Sequence, residues 1–172
     1  MISLVCGLLL ASLVASVPEV RVQQSVVEET LQNEFLPRYI KPSSWQGGFD
    51  IEEMLLQVNR MRAEAGANPL RINKWLMVAA HRHSQDQARS RRMSHVGSDG
   101  SSLSTRSMRV NYDYRAIAEN VAYNQRSVSE VMNSWMNSPG HYANIINPYY
   151  QEFGAGMVDY YWTQNFGTSQ QY

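Results

Sequence analysis

Six side chains in this 172-residue sequence are of types that could carry chemistry in a suggestive local setting: His81, His83, His95, Glu119, Ser138 and His141. His95 opens the loop Ser94-His95-Val96-Gly97-Ser98-Asp99-Gly100 just past a helical stretch, a position from which its ring can face a cavity. His141 directly follows Ser138-Pro139-Gly140, where the chain must turn. Glu119 lies between Ile117 and Val121, and a carboxylate in apolar surroundings is costly unless paired, neutralised or solvated in a cavity. An exposed glutamate on a turn is the alternative. Ser138 has the type for a nucleophile activated by His141, but its place beside Pro139 is that of a helix terminator. His81 and His83 are two apart, hence on different faces of a helix, and cannot share one ion. Each reads as a surface histidine or a satisfied core histidine.

Composition removes several classes of function. Fifteen Lys and Arg balance fifteen Asp and Glu, so no global field draws nucleic acid or an anionic membrane. The cluster Arg82, Arg89, Arg91 and Arg92 reads as a solvated helix end. Residues 1–16 carry no charged side chain and hold an apolar run too short to span a bilayer, with Val14 and Ser16 at the positions a signal peptidase reads. Cleavage after Ser16, secretion, and no stable membrane insertion afterwards are expected. The one cysteine, Cys6, lies in that segment, so the mature chain would have no thiolate nucleophile, thiolate metal site or disulfide. No His-Glu-x-x-His helix, Gly-x-Ser-x-Gly elbow, phosphate loop or glycosylation acceptor is present.

The elements that must position these groups are legible in the turn chemistry. Residues 17–48, broken by Pro37, Pro42 and Gly47-Gly48, read as an arm or linker, and 49–168 as the folded domain. Asp50 with Glu53 caps a helix whose buried face is Met54, Leu55, Val58 and Met61 and which Gly66 ends. Asn73 caps a second, running to about Arg89 with the stripe Leu76, Ala79, Ala80, His83 and Gln87. A short helix is expected from about Ser104 to Val110, with Asn111 as a left-handed terminator. Ser127 and Glu130 open a third main helix, stopped at Ser138-Pro139-Gly140, and a short helix over His141 to Ile145 follows. Glu152 to Val158 and Tyr160 to Phe166 read as two strands joined near Asp159. The tyrosines and tryptophan at 149–150 and 160–162 are expected to pack the core or cover the sheet.

Five stretches together resemble the CAP superfamily, the cysteine-rich secretory, antigen 5 and pathogenesis-related group-one proteins, in its short cysteine-free branch. They are Leu56-Gln57-Val58-Asn59-Arg60-Met61-Arg62, Ser94-His95-Val96-Gly97, Ala118-Glu119-Asn120-Val121-Ala122, the run from Trp135 to Asn147, and Tyr161-Trp162-Thr163-Gln164-Asn165-Phe166-Gly167. They occur in the family's order over about residues 50 to 167. The resemblance implies an α+β fold, an α-β-α sandwich with a mainly antiparallel central sheet. It also implies a surface cavity lined by His95, Glu119 and His141. Many members place a second glutamate where this chain has Ser138, and Gly where it has Ala118.

Two imidazoles and a carboxylate are a reasonable ligand set for Zn2+ or another divalent cation, with water completing the shell. The expectation is therefore a secreted, extracellular binding or interaction module. Its cavity would be formed by His95, Glu119, His141 and Ser138, with metal at His95, Glu119 and His141. The resemblance implies a sterol or fatty-acid ligand and an extracellular or host-surface partner; the charge balance argues for no nucleic acid. A zinc-dependent hydrolase and a purely structural polar cluster are the alternatives. The sequence offers no general base or oxyanion donor, and so no catalytic residue, for the first.

Overall fold

The computed structural model describes residues 48–170, so the expected signal segment over 1–16 and all but the last residue of the arm over 17–48 lie outside it. In chain order the elements are α1 (Ile51–Glu64), β1 (Arg71–Ile72), α2 (Lys74–Ser90), α3 (Leu103–Arg109), β2 (Tyr114–Tyr123), α4 (Val128–Met136), α5 (Pro139–Ile146), β3 (Glu152–Val158) and β4 (Tyr161–Ser169). The helices begin where side chains can satisfy free backbone N–H groups. Asp50 accepts from the N–H groups of Glu52 and Glu53 at 2.9 and 3.2 Å. Asn73 accepts from Trp75 and Leu76 at 2.8 and 3.3 Å. Ser127 accepts from Glu130 at 3.1 Å, while the Glu130 carboxylate takes the Arg126 N–H at 2.7 Å, one residue before the cap.

The sheet order is β1-β3-β4-β2. The short β1 runs parallel to β3, and the other two pairings are antiparallel, as the sandwich reading requires. β3 turns into β4 through Asp159 and Tyr160, both at positive φ (49° and 62°), as a type I′ hairpin turn demands. Residues 114–123 form a ten-residue strand, so Glu119 is buried on a strand rather than exposed on a turn, opposite Asn165, with Asn120 opposite Gln164.

Alternation along the strands sends successive side chains to opposite layers. Phe153, Ala155, Ala122, Trp162 and Phe166 meet α1, α4 and α5 in the larger core, with Met54, Val58, Met132 and Trp135 fully buried against them. The opposite face carries α2, and there β3 is built from glycine. A Cβ on Gly156 would lie 2.5 Å from the Cα of His81, and one on Gly154 would run into the backbone of Leu76 and Met77. Their absence lets α2 lie directly on the sheet. α3 closes this side, where Val110 and Tyr112 pack with Leu76 and Ala79. Of the C-terminal aromatics, Tyr150, Tyr161 and Trp162 are buried as expected, whereas Tyr149 and Tyr160 are exposed.

One buried cation ties the larger layer together. Arg62, fully buried at the end of α1, donates to the carbonyls of Asn68 (2.7 Å), Ile145 (2.8 Å), Asn147 (2.8 Å) and Tyr150 (3.0 Å). Burial lowers its pKa to about 10. The guanidinium thereby fixes the α5–β3 connection to α1, and with it the position of α5, which bears His141.

Candidate functional site

Glu119 projects from β2 toward α2 and α3, and its side chain is only 3% exposed. Its charge is compensated from two sides. Arg106 of α3 donates from Nη2 to Oε2 at 2.7 Å, and the Nδ1 of His95 lies 2.9 Å from Oε1. The fully buried His83 of α2 stands next to them, its Nε2 3.8 Å from Oε1 and 2.8 Å from the Ser94 carbonyl. A carbonyl accepts only, so Nε2 carries the proton donated to Ser94. Burial pushes the His83 pKa below the usual histidine value, which keeps its ring neutral.

The loop bearing His95 is fastened at several points. Arg106 Nη1 donates to the carbonyls of His95 (3.1 Å) and Ser101 (2.8 Å). Gln87 accepts from the Ser94 N–H at 3.1 Å while its amide donates to Thr163 at 3.0 Å. His95 is therefore held through its backbone and through Nδ1, while its side chain stays 58% exposed. The hydrogen bond to Glu119 raises its pKa above the usual histidine value against the opposing effect of burial. The result is an oriented, largely exposed imidazole whose second nitrogen makes no hydrogen bond among the described residues.

On the other face of β2, Asn120 does for α5 what Glu119 does for the loop. Its amide donates to the carbonyls of His141 and of the Gln164 side chain, both at 3.2 Å, and its oxygen accepts from Asn144 at 2.8 Å. This brings His141 close enough to His95 for the charge of one to depress the other: burial first, then His95, lowers the His141 pKa. No hydrogen bond joins the His141 ring to Glu119 or His95 among the described residues. Ser138 is the N-cap of α5, but its hydroxyl makes no capping bond.

The structure thus joins His95 and Glu119 directly, sets His141 alongside, and leaves Ser138 as a helix start. It adds two residues that the sequence reading did not place here, Arg106 and His83. His83 did give a signal, because it lies on the inward stripe of α2 and a buried imidazole requires a polar partner. Arg106 gave none beyond the need of Glu119 for a cation. The expected metal set is not preformed: no group of three His, Cys, Asp or Glu side chains among the described residues is placed to hold an ion. Arg106 and His95 engage the two carboxylate oxygens that the ion would need, so the residues do not fit a metal as they stand.

Comparison with known proteins places this geometry in context. The profile of the "CAP: Cysteine-rich secretory protein family" matches residues 55–172. Among curated relatives, the chain is 34% identical over 110 residues to the uncharacterized protein YkwD of Bacillus subtilis (strain 168), covering 63% of this chain and 43% of that protein. It is 28% identical over 148 residues to the uncharacterized membrane protein YlbC of the same organism, covering 84% and 43%. The chain therefore spans less than half the length of these relatives. An extracellular SCP-domain protein of Bacillus anthracis str. Ames shares its fold, with a TM-score of 0.67 and 24% identity over 69% of this chain and 40% of that one. So does an outer surface protein of Borrelia burgdorferi, with a TM-score of 0.64 and 20% identity over 69% and 92%. A cysteine-rich secretory protein of Staphylococcus aureus superposes with a TM-score of 0.62 at 25% identity, covering 73% and 40%.

Proposed function

Because the chain belongs to the CAP, or cysteine-rich secretory protein, family, we propose that it is a secreted binding module whose His95–Glu119–His141 cleft receives a lipid or sterol by its polar head. The observation that carries this reading is the commitment of Glu119. With Arg106 on one oxygen and His95 on the other, its charge is spent on holding the site. What faces solvent is one oriented imidazole, with half-buried His141 beside it and exposed Val96 next in the chain. Such a pair hydrogen-bonds a hydroxyl or carboxylate head group. Secretion rests on the uncharged apolar segment at 1–16 and agrees with the extracellular settings named for the structural neighbours. Among the described residues no helix is long and apolar enough to cross a membrane.

A hydrolytic reading has one observation in its favour, since a carboxylate on Nδ1 orients the other nitrogen of an imidazole as a general base. It lacks a nucleophile, because among the described residues no hydroxyl or thiol side chain hydrogen-bonds the His95 ring and Ser138 serves to start α5. Titration of the protein lacking residues 1–16 with cholesterol and with palmitate tests the proposal. Saturable uptake that His95→Ala and His141→Ala each weaken supports it. No uptake of either ligand removes it, and turnover of an ester panel that fails with His95→Ala replaces it with hydrolysis.

A further inference from the structure

A cavity of about 230 Å3 lies between α2, the 97–101 loop and α3, with Arg106 and His83 in its wall. Its wall holds three guanidinium groups, Arg82, Arg106 and Arg109, against two carboxylates, Asp86 and Asp99. With His83 neutral and Arg106 paired to Glu119, Arg82 and Arg109 balance Asp86 and Asp99, so the wall carries no excess charge. Hydrogen-bond capacity is more lopsided than charge. Asp86 is occupied by the N–H and hydroxyl of Ser98. Asp99 is occupied by the Ser101 N–H at 2.9 Å and by Arg109 Nη1 at 2.6 Å. Both acids thus have their acceptors in use, and their lowered pKa values, where those same bonds outweigh burial at Asp86 and dominate at Asp99, keep them ionised. The donors are not exhausted. Arg82 has no hydrogen-bond or ion-pair partner among the described residues, and Arg109 gives only one of its nitrogens to Asp99. Arg106 gives both terminal nitrogens to Glu119, His95 and Ser101 and keeps a buried Nε without a partner.

We propose that this cavity is a binding site for a small organic carboxylate, held by Arg82 and the free edge of Arg109. Unused guanidinium N–H groups facing satisfied acids select an acceptor-only, anionic group, and the planar fork of arginine matches a carboxylate. Ala79 and Val110 complete the wall with apolar surface, which a phosphate ion cannot use but a short hydrocarbon body can. The volume is below the roughly 300–1,000 Å3 of sites for drug-sized ligands, so the occupant is a compact acid rather than a lipid chain. The site shares Arg106 and His83 with the polar cluster at His95, but its ligand-holding groups, Arg82 and Arg109, lie outside that cluster and its ligand differs in size.

The test is an amide-resolved NMR titration of the whole mature protein with butyrate, butyramide and inorganic phosphate. Butyrate is expected to shift the Ala79, Arg82, Arg109 and Val110 amides saturably. Butyramide, the same shape without charge, and phosphate, the charge without the hydrocarbon, are each expected to bind at least about tenfold more weakly. Arg82→Ala, at an exposed position where folding is readily confirmed from the unchanged remainder of the spectrum, is expected to weaken butyrate about tenfold or more. Arg109→Ala serves as the second variant. No shifts at these amides up to about 10 mM butyrate, equal binding of butyramide or phosphate, or undiminished binding in both variants overturns the assignment.

Discussion

Replacing Glu119 by Gln keeps its shape and removes its charge. Arg106 would then be left with its side chain 8% exposed and no anion within reach of Nη2. The glutamine amide also brings N–H groups toward Arg106 or His95, both of which donate here, so at least one bond becomes a donor facing a donor. Breaking a buried ion pair by removing one partner costs about 3–5 kcal/mol. At about 3–5 °C per kcal/mol for a domain of this size, the midpoint should fall by roughly 10–20 °C. Trp135 and Trp162, each 1% exposed, make tryptophan fluorescence during urea denaturation a suitable readout. The Arg106→Met change should cost a similar amount, because it strands the carboxylate instead. The double variant should cost on the order of 2 kcal/mol or more less than the sum of the singles. A Glu119→Gln loss under about 1 kcal/mol, or strict additivity in the cycle, would refute the view that this pair clamps α3 and the His95 loop to the sheet.

Four further outcomes follow from the same contacts. In a proton-resolved titration His95 should titrate above, and His83 and His141 below, the usual histidine value of 6.5, and Glu119→Gln should remove the rise at His95. In stability the sign differs by residue. The raised pKa of His95 contributes below pH 6.5 and is lost as pH rises through its folded value, whereas His83 and His141 contribute above pH 6.5 and lose it as pH falls through theirs. Wild type should therefore exceed His95→Ala in stability most clearly below pH 6.5, by well under about 1 kcal/mol because the ring is largely exposed. Asn165→Leu, a branched side chain of similar skeleton, removes two buried polar atoms without partners and should leave the unfolding free energy read by urea denaturation unchanged or raise it by up to about 1–2 kcal/mol. Arg62→Met leaves four backbone carbonyls without their donor and should cost about 3–5 kcal/mol, read by the same denaturation.

What could be read from the sequence follows how locally each feature is determined. Asp50, Asn73, Ser127, Pro139 and the Asp159 turn act on neighbours within four residues, so the helices and the β3–β4 hairpin lay where those residues put them. β2 lacks the alternation that marks a half-exposed strand, because Val121 and Ala122, like Glu119 and Asn120, are buried on opposite faces of the sheet. β1 is two residues long and exists only because Glu152 and Phe153 are there to pair with it. At the site, residue type and turn position single out His95, Glu119 and His141 and the resemblance groups them, and the structure joins the first two directly at 2.9 Å. His83 reads in the sequence as a surface or a satisfied core histidine, and the structure has the second, a buried ring donating to Ser94 across a loop that the helix stripe alone does not place. Arg106 is reached across the fold, from a helix too short to carry a pattern, and its role depends on a strand whose existence the sequence did not declare.

Native mass spectrometry of the protein secreted into culture medium and purified without detergent tests the central claim most directly. The account expects a retained species of lipid or sterol mass, displaced by added cholesterol or palmitate and absent from His95→Ala at unchanged fold. Protein that carries no adduct and takes up neither ligand, at the same folded mass as His95→Ala, would contradict it.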